Sequence, residues 1–270
     1  LFSDNKAVII RNPIAQDMVS MRKSLIPSLI QTAVLNFNKQ NRDIRIFEKG
    51  KIFRQESEIH EYEHLGILLS GKTHDRIWAN PQREYDFFDI KGITEYLFDA
   101  LNIGICRFTR IDIPHFMHPG KSARIIINDI ICGIVGEIHP KILKKYDMKQ
   151  NIFVAEINLE TLFENFVKSS LSFARYSPYP AVDRDIAIVL SKDIPSETIT
   201  DEIRKMNIGI VEEIYVFDLY EGKGIEEGRK SLGISIKYRS QESTLTDEEV
   251  DNTHSKIVDN LLKKFYANLR

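Results

Sequence analysis

The chain has 270 residues, 43% of them hydrophobic and 28% charged, with a formal net charge of −2. That suits a globular protein of two domains; no apolar run reaches the ~18 residues of a membrane helix, and the near-neutral charge gives no general attraction to nucleic acid. Cys106 and Cys132, the two cysteines, are too few for a disulfide framework or a zinc set and read as reduced, buried thiols of a cytoplasmic protein.

Leu1 stands where an initiator Met would, so the sequence is expected to be a piece of a longer polypeptide. In "QDMVSMRKSLIPSLIQTAVLNFNKQ", Leu25, Leu29, Ala33 and Phe37 recur at four-residue spacing and form one helical stripe. Pro27 places the regular start of that helix near itself, where a missing N–H costs little. "DIRIFEKGKIFR" and "HLGILLSG" read as strands. "YDFFDIKGITEYLFDAL" reads as an amphipathic helix with Phe88, Ile93, Leu97 and Leu101 inward. Four strands follow, "ICRFTRI", "ARIIIN", "ICGIVGEI" and "IFVAEINL", the middle two joined by a hairpin at Asn128-Asp129. The first domain, 1–165, is therefore an antiparallel sheet flanked by helices. The aperiodic, proline-bearing stretch that follows supplies a linker at 166–175.

Residues 176–270 run strand, helix, strand, strand, helix and a short last strand, the ferredoxin-like split βαβ pattern. Thr246 and Glu249 make a capping box for the last helix, whose buried stripe is Val250, His254, Ile257, Leu261 and Phe265. Alternation in "SLGISIKYR" sends Leu232, Ile234, Ile236 and Tyr238 to the helices. It leaves Ser231, Gly233, Ser235, Lys237 and Arg239 on an open face. In "DIAIVL", Ile186, Ile188 and Leu190 go inward and Ala187 and Val189 outward. Either face of "IYVFDLY" is open to burial; with Tyr215, Phe217 and Leu219 inward, Val216, Asp218 and Tyr220 join the open sheet. A bare sheet face with an aromatic ring, an acidic group and small residues is suited to unpaired bases.

These stretches carry a resemblance. "YPAVDRDIAIVL", "VFDLYEGKGIEEGRKSLGISIKYRS" and "TLTDEEV" resemble the C-terminal anticodon-binding domain of the bacterial phenylalanyl-tRNA synthetase β subunit. "NPIAQDMVSMRKSLIPSLI", "DFFDIKGITEYLF", "HPGKSARI" and "GIVGEIHPKILKKYDM" resemble the catalytic-like domain of the same subunit, in the same order. The resemblance implies an α+β chain: a class II synthetase-like antiparallel sheet domain followed by the ferredoxin-like domain. It further implies assembly with an α subunit into an α2β2 heterotetramer that attaches phenylalanine to tRNA-Phe, with ATP and Mg²⁺ used in the α subunit and no cofactor or metal in this piece. The other reading is a free-standing RNA-binding or ligand-sensing module built from the same two folds.

Class II chemistry needs an Arg in an F-R-x-E setting and a Gly-rich strand ending in a second Arg. "FRQE", Phe53 to Glu56, keeps the first; "NIFVAEINLETLF", where the second belongs, has neither Gly nor Arg, so this piece is expected to be catalytically inactive. "HPGKSARI" lacks the spacing of a phosphate loop and leads into a strand instead of a helix, which makes its residues shapers of the strand entry. His115, His118 and His139 sit at Pro-adjacent turns without metal-ligand regularity.

The family's anticodon contacts map onto Ala187, Asp218, Tyr220 and Ser231. Tyr220 would stack, Asp218 and Ser231 would hydrogen-bond base edges, and Ala187 would permit close approach. Arg184, Lys237 and Arg239 are candidate phosphate contacts. From Arg175 onward, however, 14 Lys and Arg face 18 Asp and Glu, a net charge of −4. This domain should therefore bind RNA weakly unless the rest of the synthetase holds it in place. The resemblance also makes the first helix a subunit interface, with Met21, Ile26 and Ile30 as its exposed apolar residues.

Overall fold

The computed structural model describes residues 7–14, 19–103, 106–164 and 176–270. The chain divides into two compact units, Leu1–Leu171 and Ser172–Arg270. The linker expected at 166–175 and the expected domain end at 165 lie outside the described residues.

Unit 1 contains α1 (Ile26–Asn38), β1 (Ile44–Gln55), β2 (Ile59–Ser70), α2 (Phe87–Ala100), β3 (Cys106–Thr109), β4 (Met117–Ile127), β5 (Ile130–Ile138), α3 (Pro140–Lys145), β6 (Ile152–Asn158) and α4 (Leu159–Glu164). Its six strands pair antiparallel in the order β1-β2-β6-β5-β4-β3. Period-2 alternation fills both faces. Ile44, Ile52, Leu68, Ile134, Ile152 and Val154 pack with α1 on one side. Leu69, Ala123, Ile125, Ile127, Phe153 and Ile157 pack with α2 on the other. The Asn128-Asp129 hairpin forms as expected, with φ of 50° and 63°, the left-handed pair such a two-residue turn requires.

α1 starts at Ile26 with proline in its first turn. Leu25, Ile26, Leu29, Ile30 and Ala33 are buried. This corrects the interface reading, because Ile26 and Ile30 are each 0% exposed and belong to the core of unit 1. Their i, i+4 spacing follows the same face that carries Leu29 and Ala33 onto the sheet.

α2 needs a second correction. Asp86 and Asp89 form a reciprocal capping box that fixes the first turn. With that start, Ile90, Thr94 and Phe98 meet the sheet, while Phe88 is 72% exposed and Ile93 40%. The larger residues define a plausible stripe on paper, but the phase belongs to one containing a threonine. Thr94 Oγ1 donates to the Ile90 carbonyl at 2.8 Å, so the hydroxyl is satisfied inside the core.

"HPGKSARI" lies within β4 and not before it. The β4–β5 register runs from Met117↔Ile138 directly to Ser122↔Gly136, so His118 to Lys121 bulge from the ladder. Gly136 has φ +148°, and a Cβ there would sit 2.4 Å from Ser122 Oγ and 2.5 Å from the Lys121 carbonyl, so only glycine admits the close approach. Cys132 is buried, which pushes its thiol up to about 12, whereas Cys106 is only half-buried.

Unit 2 contains β7 (Val182–Ser191), α5 (Ser196–Lys205), β8 (Val211–Tyr220), β9 (Arg229–Tyr238), α6 (Asp247–Phe265) and β10 (Asn268–Leu269). The antiparallel order β10-β7-β9-β8 is that of a ferredoxin fold. Ile186, Ile188, Leu190, Leu232, Ile234 and Ile236 meet Ile199, Ile203, Val250, Ile257 and Leu261 in one core. The Thr246–Glu249 capping box is present, and Tyr238 Oη lies 2.9 Å from His254 Nδ1 at the half-buried end of the α6 stripe.

Candidate nucleic-acid interface

The face of the unit 2 sheet opposite α5 and α6 is built in rows, because directly paired residues share a face. One row is Val189–Ser231–Tyr220, the next Ala187–Gly233–Asp218 and the third Asp185–Ser235–Tyr215. Ala187, Asp218, Tyr220 and Ser231 thus lie together in two adjacent rows.

β8 carries an irregularity that its alternation did not reveal. Val216 pairs with Ile234 and Asp218 with Gly233, so Phe217 is an extra residue in the strand. Before the bulge Ile214 and Val216 share the helix face with Ile236 and Ile234; after it Leu219 does, opposite Leu232. Tyr215 and Phe217 are therefore not inward. Phe217 lies over Gly233, where an added Cβ would meet its Cζ at 2.9 Å. The open face carries Tyr215, Phe217 and Tyr220, three aromatic rings where the sequence reading had one.

Arg270 is a further component. Its backbone N–H donates to the Ala187 carbonyl at 3.0 Å. The guanidinium lies over the Tyr220 ring at 4.9 Å from the centroid and donates to Ser231 Oγ at 3.4 Å. Ser231 is 2% exposed. The Tyr220 hydroxyl donates to the Lys223 carbonyl at 3.1 Å, which fixes the ring at the strand end. No periodicity in the short tail pointed to Arg270; β10 places it.

The basic candidates divide. Arg184 pairs with Ile236 in register and so faces the helices. It binds Asp247 and Asp251 of α6, each at 2.9 Å, and these carboxylates raise its pKa. It therefore lies away from the open face that holds Tyr220 and Asp218. Lys237 holds Glu213 at 2.8 Å and Arg239 holds Glu212 at 3.1 Å. Both would reach a phosphate only by exchanging a carboxylate for it.

Residues 177–270 match the ferredoxin-fold anticodon binding domain family. Residues 2–159 match the phenylalanyl tRNA synthetase beta chain CLM domain family, more than half of the chain. The chain belongs to the phenylalanyl-tRNA synthetase β chain family. A phenylalanine–tRNA ligase beta subunit of Syntrophus aciditrophicus is 35% identical over 268 residues, covering 98% of this chain and 33% of its own length. The same-named protein of Carboxydothermus hydrogenoformans is 36% identical over 269 residues, with 98% and 33% covered. The chain thus spans about a third of the length of these β-chain relatives. A pyrrolysyl-tRNA synthetase from Desulfitobacterium hafniense overlays 61% of this chain and 58% of its own at a TM-score of 0.44 and 13% identity, too low to bear on unit 1. Within the β-chain family frame, the open sheet belongs to the unit that carries the anticodon-binding match.

The catalytic question turns on unit 1. β6 reads Ile152–Asn158, buried along nearly its whole length, without glycine or arginine, and carries the Glu156 carboxylate. Among the described residues no three His, Cys, Asp or Glu side chains gather as metal ligands. Among the described residues no helix is long and apolar enough to cross a membrane.

Proposed function

We propose that this chain is the non-catalytic C-terminal part of a phenylalanyl-tRNA synthetase β subunit. Unit 1 is a class II synthetase-like domain that assembles with the α subunit into an α2β2 enzyme. Unit 2 reads the anticodon of tRNA-Phe while the α subunit, using ATP and Mg²⁺, carries out phenylalanylation. The observation that supports this most is the placement of Tyr220, Asp218, Ser231 and Ala187 in two adjacent rows of the sheet face opposite the helices, inside a unit that matches an anticodon-binding family.

Bases stack on Tyr220 and Phe217, while Asp218 accepts from base amino groups; Ala187 and Gly233 leave room for the rings. Arg270 occupies the Tyr220 face in the free protein, so an incoming base either displaces it or is held beneath it. Lys237 and Arg239 are secondary contacts, weakened by their glutamates. The partner surface of unit 1 is the exposed apolar patch of Phe47, Ile93 and Tyr96, with Met21 half-buried elsewhere. The reading is tested by purifying the full-length polypeptide and measuring aminoacylation. It requires a co-purifying α partner and discrimination between tRNA-Phe and an anticodon-substituted tRNA. A polypeptide that purifies alone and binds both tRNAs equally would remove it.

A further inference from the structure

Unit 1 has a cleft of about 620 Å³, lined in part by Arg54, His64, Phe116, Arg124, Ile134 and Glu156. It opens on the α1 face of the sheet, beside the start of that helix. The β register places Arg124 opposite Ile134, Ile134 opposite Glu156, and Glu156 opposite Gly66, two residues along β2 from His64. Its size is that of a small-molecule site.

Two features of the lining are unusual for a merely structural hollow. The first is uncompensated positive charge. Elsewhere on this sheet, Lys49, Lys51 and Lys121 each hold a glutamate within 3.0 Å. Among the described residues Arg54 and Arg124 form no such pair. Arg54 lies over the Tyr62 ring at 5.4 Å. Arg124 donates through Nη2 to the Asp112 carbonyl at 2.8 Å, and its buried Nε has no partner. Burial lowers the Arg124 pKa; Asp112 opposes this and the Arg54 charge adds to it, which places the two guanidinium groups in each other's field.

The second feature is His64, 7% exposed. Its Nδ1 is 3.0 Å from Glu156 Oε1. The same carboxylate accepts from Ser24 Oγ at 2.5 Å and from the Leu25 N–H at 2.8 Å. With that carboxylate as acceptor toward the imidazole, as it is toward Ser24 and Leu25, the ring proton is on Nδ1. Nε2 is buried and has no partner, in a side chain that lines the cleft. Buried polar atoms are nearly always paired, and one left open beside a cavity shows where a ligand's polar atom belongs.

We propose that this cleft binds a small organic anion. Its phosphate or carboxylate lies between Arg54 and Arg124, its apolar body rests on Phe116 and Ile134, and a hydroxyl or N–H of it donates to His64 Nε2. The site binds and does not activate: Glu156 is fully engaged in holding Ser24, Leu25 and His64. The proposal is independent of the anticodon reading.

The test uses the full-length polypeptide in its native assembly. The partner's active site is first saturated with a non-hydrolysable phenylalanyl-adenylate analogue. Phenyl phosphate, phenylacetate and the uncharged benzyl alcohol are titrated by calorimetry against the wild type, Arg54→Gln and Arg124→Gln. One or both anions should bind, about tenfold or more weaker in either variant, and the stronger anion identifies the head group. Arg54 is exposed, so its variant stays informative if Arg124→Gln fails to fold. The proposal is overturned if neither anion binds up to about 10 mM, if both variants bind like the wild type, or if benzyl alcohol binds as well as the anions.

Discussion

Phe217 rests on Gly233 because the β8 bulge adds one residue opposite it; a Cβ at Gly233 would stand 2.9 Å from Phe217 Cζ and 3.0 Å from Asp218 Cβ. Gly233→Ala should lift the ring and strain the bulge, at a cost of about 1–3 kcal/mol typical of overpacking. Urea unfolding of Gly233→Ala, Phe217→Ala and the double variant measures the coupling. The double variant should be more stable than the sum of the two single effects. Simple additivity would mean the ring does not depend on the glycine.

Tyr220→Ala and Phe217→Ala should each raise the KM for tRNA-Phe by roughly ten- to a hundredfold, since stacking contributes about 1–3 kcal/mol per base. The loss should shrink when the contacted anticodon base is already substituted. Lys237→Ala should weaken wild-type and substituted tRNA alike. Aminoacylation with crossed variants decides this. Strictly additive losses would remove Tyr220 and Phe217 from base readout. Phenylalanine activation should be unchanged in all of them.

Ile30→Asp should unfold unit 1, because an unpaired charge would enter a site with 0% exposure at a cost of several kcal/mol. Phe47→Asp, at 76% exposure, should leave the circular dichroism and melting of the chain unchanged while reducing recovery of the α subunit. An unaltered yield of heterotetramer would place the interface away from the Phe47 patch.

The pH response of unit 2 should carry the signature of His254. Burial lowers its pKa, with the Arg184 charge adding and Asp251 and Asp185 opposing. The unfolded chain therefore takes up the proton first as pH falls. Stability should be fully present above about pH 6.5, the ordinary value, and decline through the window between it and the lowered folded value. Denaturation midpoints between about pH 5 and 8 should show this decline, and His254→Gln should flatten that part of the profile. A rise in stability on acidification would mean that the acidic neighbours dominate.

Much of this architecture can be read from local pattern. The Thr246–Glu249 cap, the Asn128-Asp129 hairpin and the alternation of β7 and β9 are determined within a few residues of sequence. What escaped that reading depends on distant partners. The β8 bulge shifts the period by one and sends Tyr215 and Phe217 to the opposite face, a choice made against β9. Arg184 follows the same alternation as Ile186, yet the basic side chain suggested an RNA contact until α6 supplied Asp247 and Asp251. Ile26 and Ile30 looked like surplus apolar area on a helix because the sheet they cover lies far along the chain. Arg270 had no signal beyond its place beside β7.

The grip of Glu156 on Ser24 and Leu25 spans 132 and 131 residues. During synthesis, at roughly 5–20 residues per second, the start of α1 waits about 7–26 s for its acceptor. Until β6 emerges, Leu25, Ile26, Leu29 and Ile30 have no finished sheet to cover. β1 and β2 arrive early and cover part of this helix, but the contacts that Ile152 and Val154 of β6 supply are missing for that whole interval, so the nascent polypeptide carries α1 only partly covered on the ribosome.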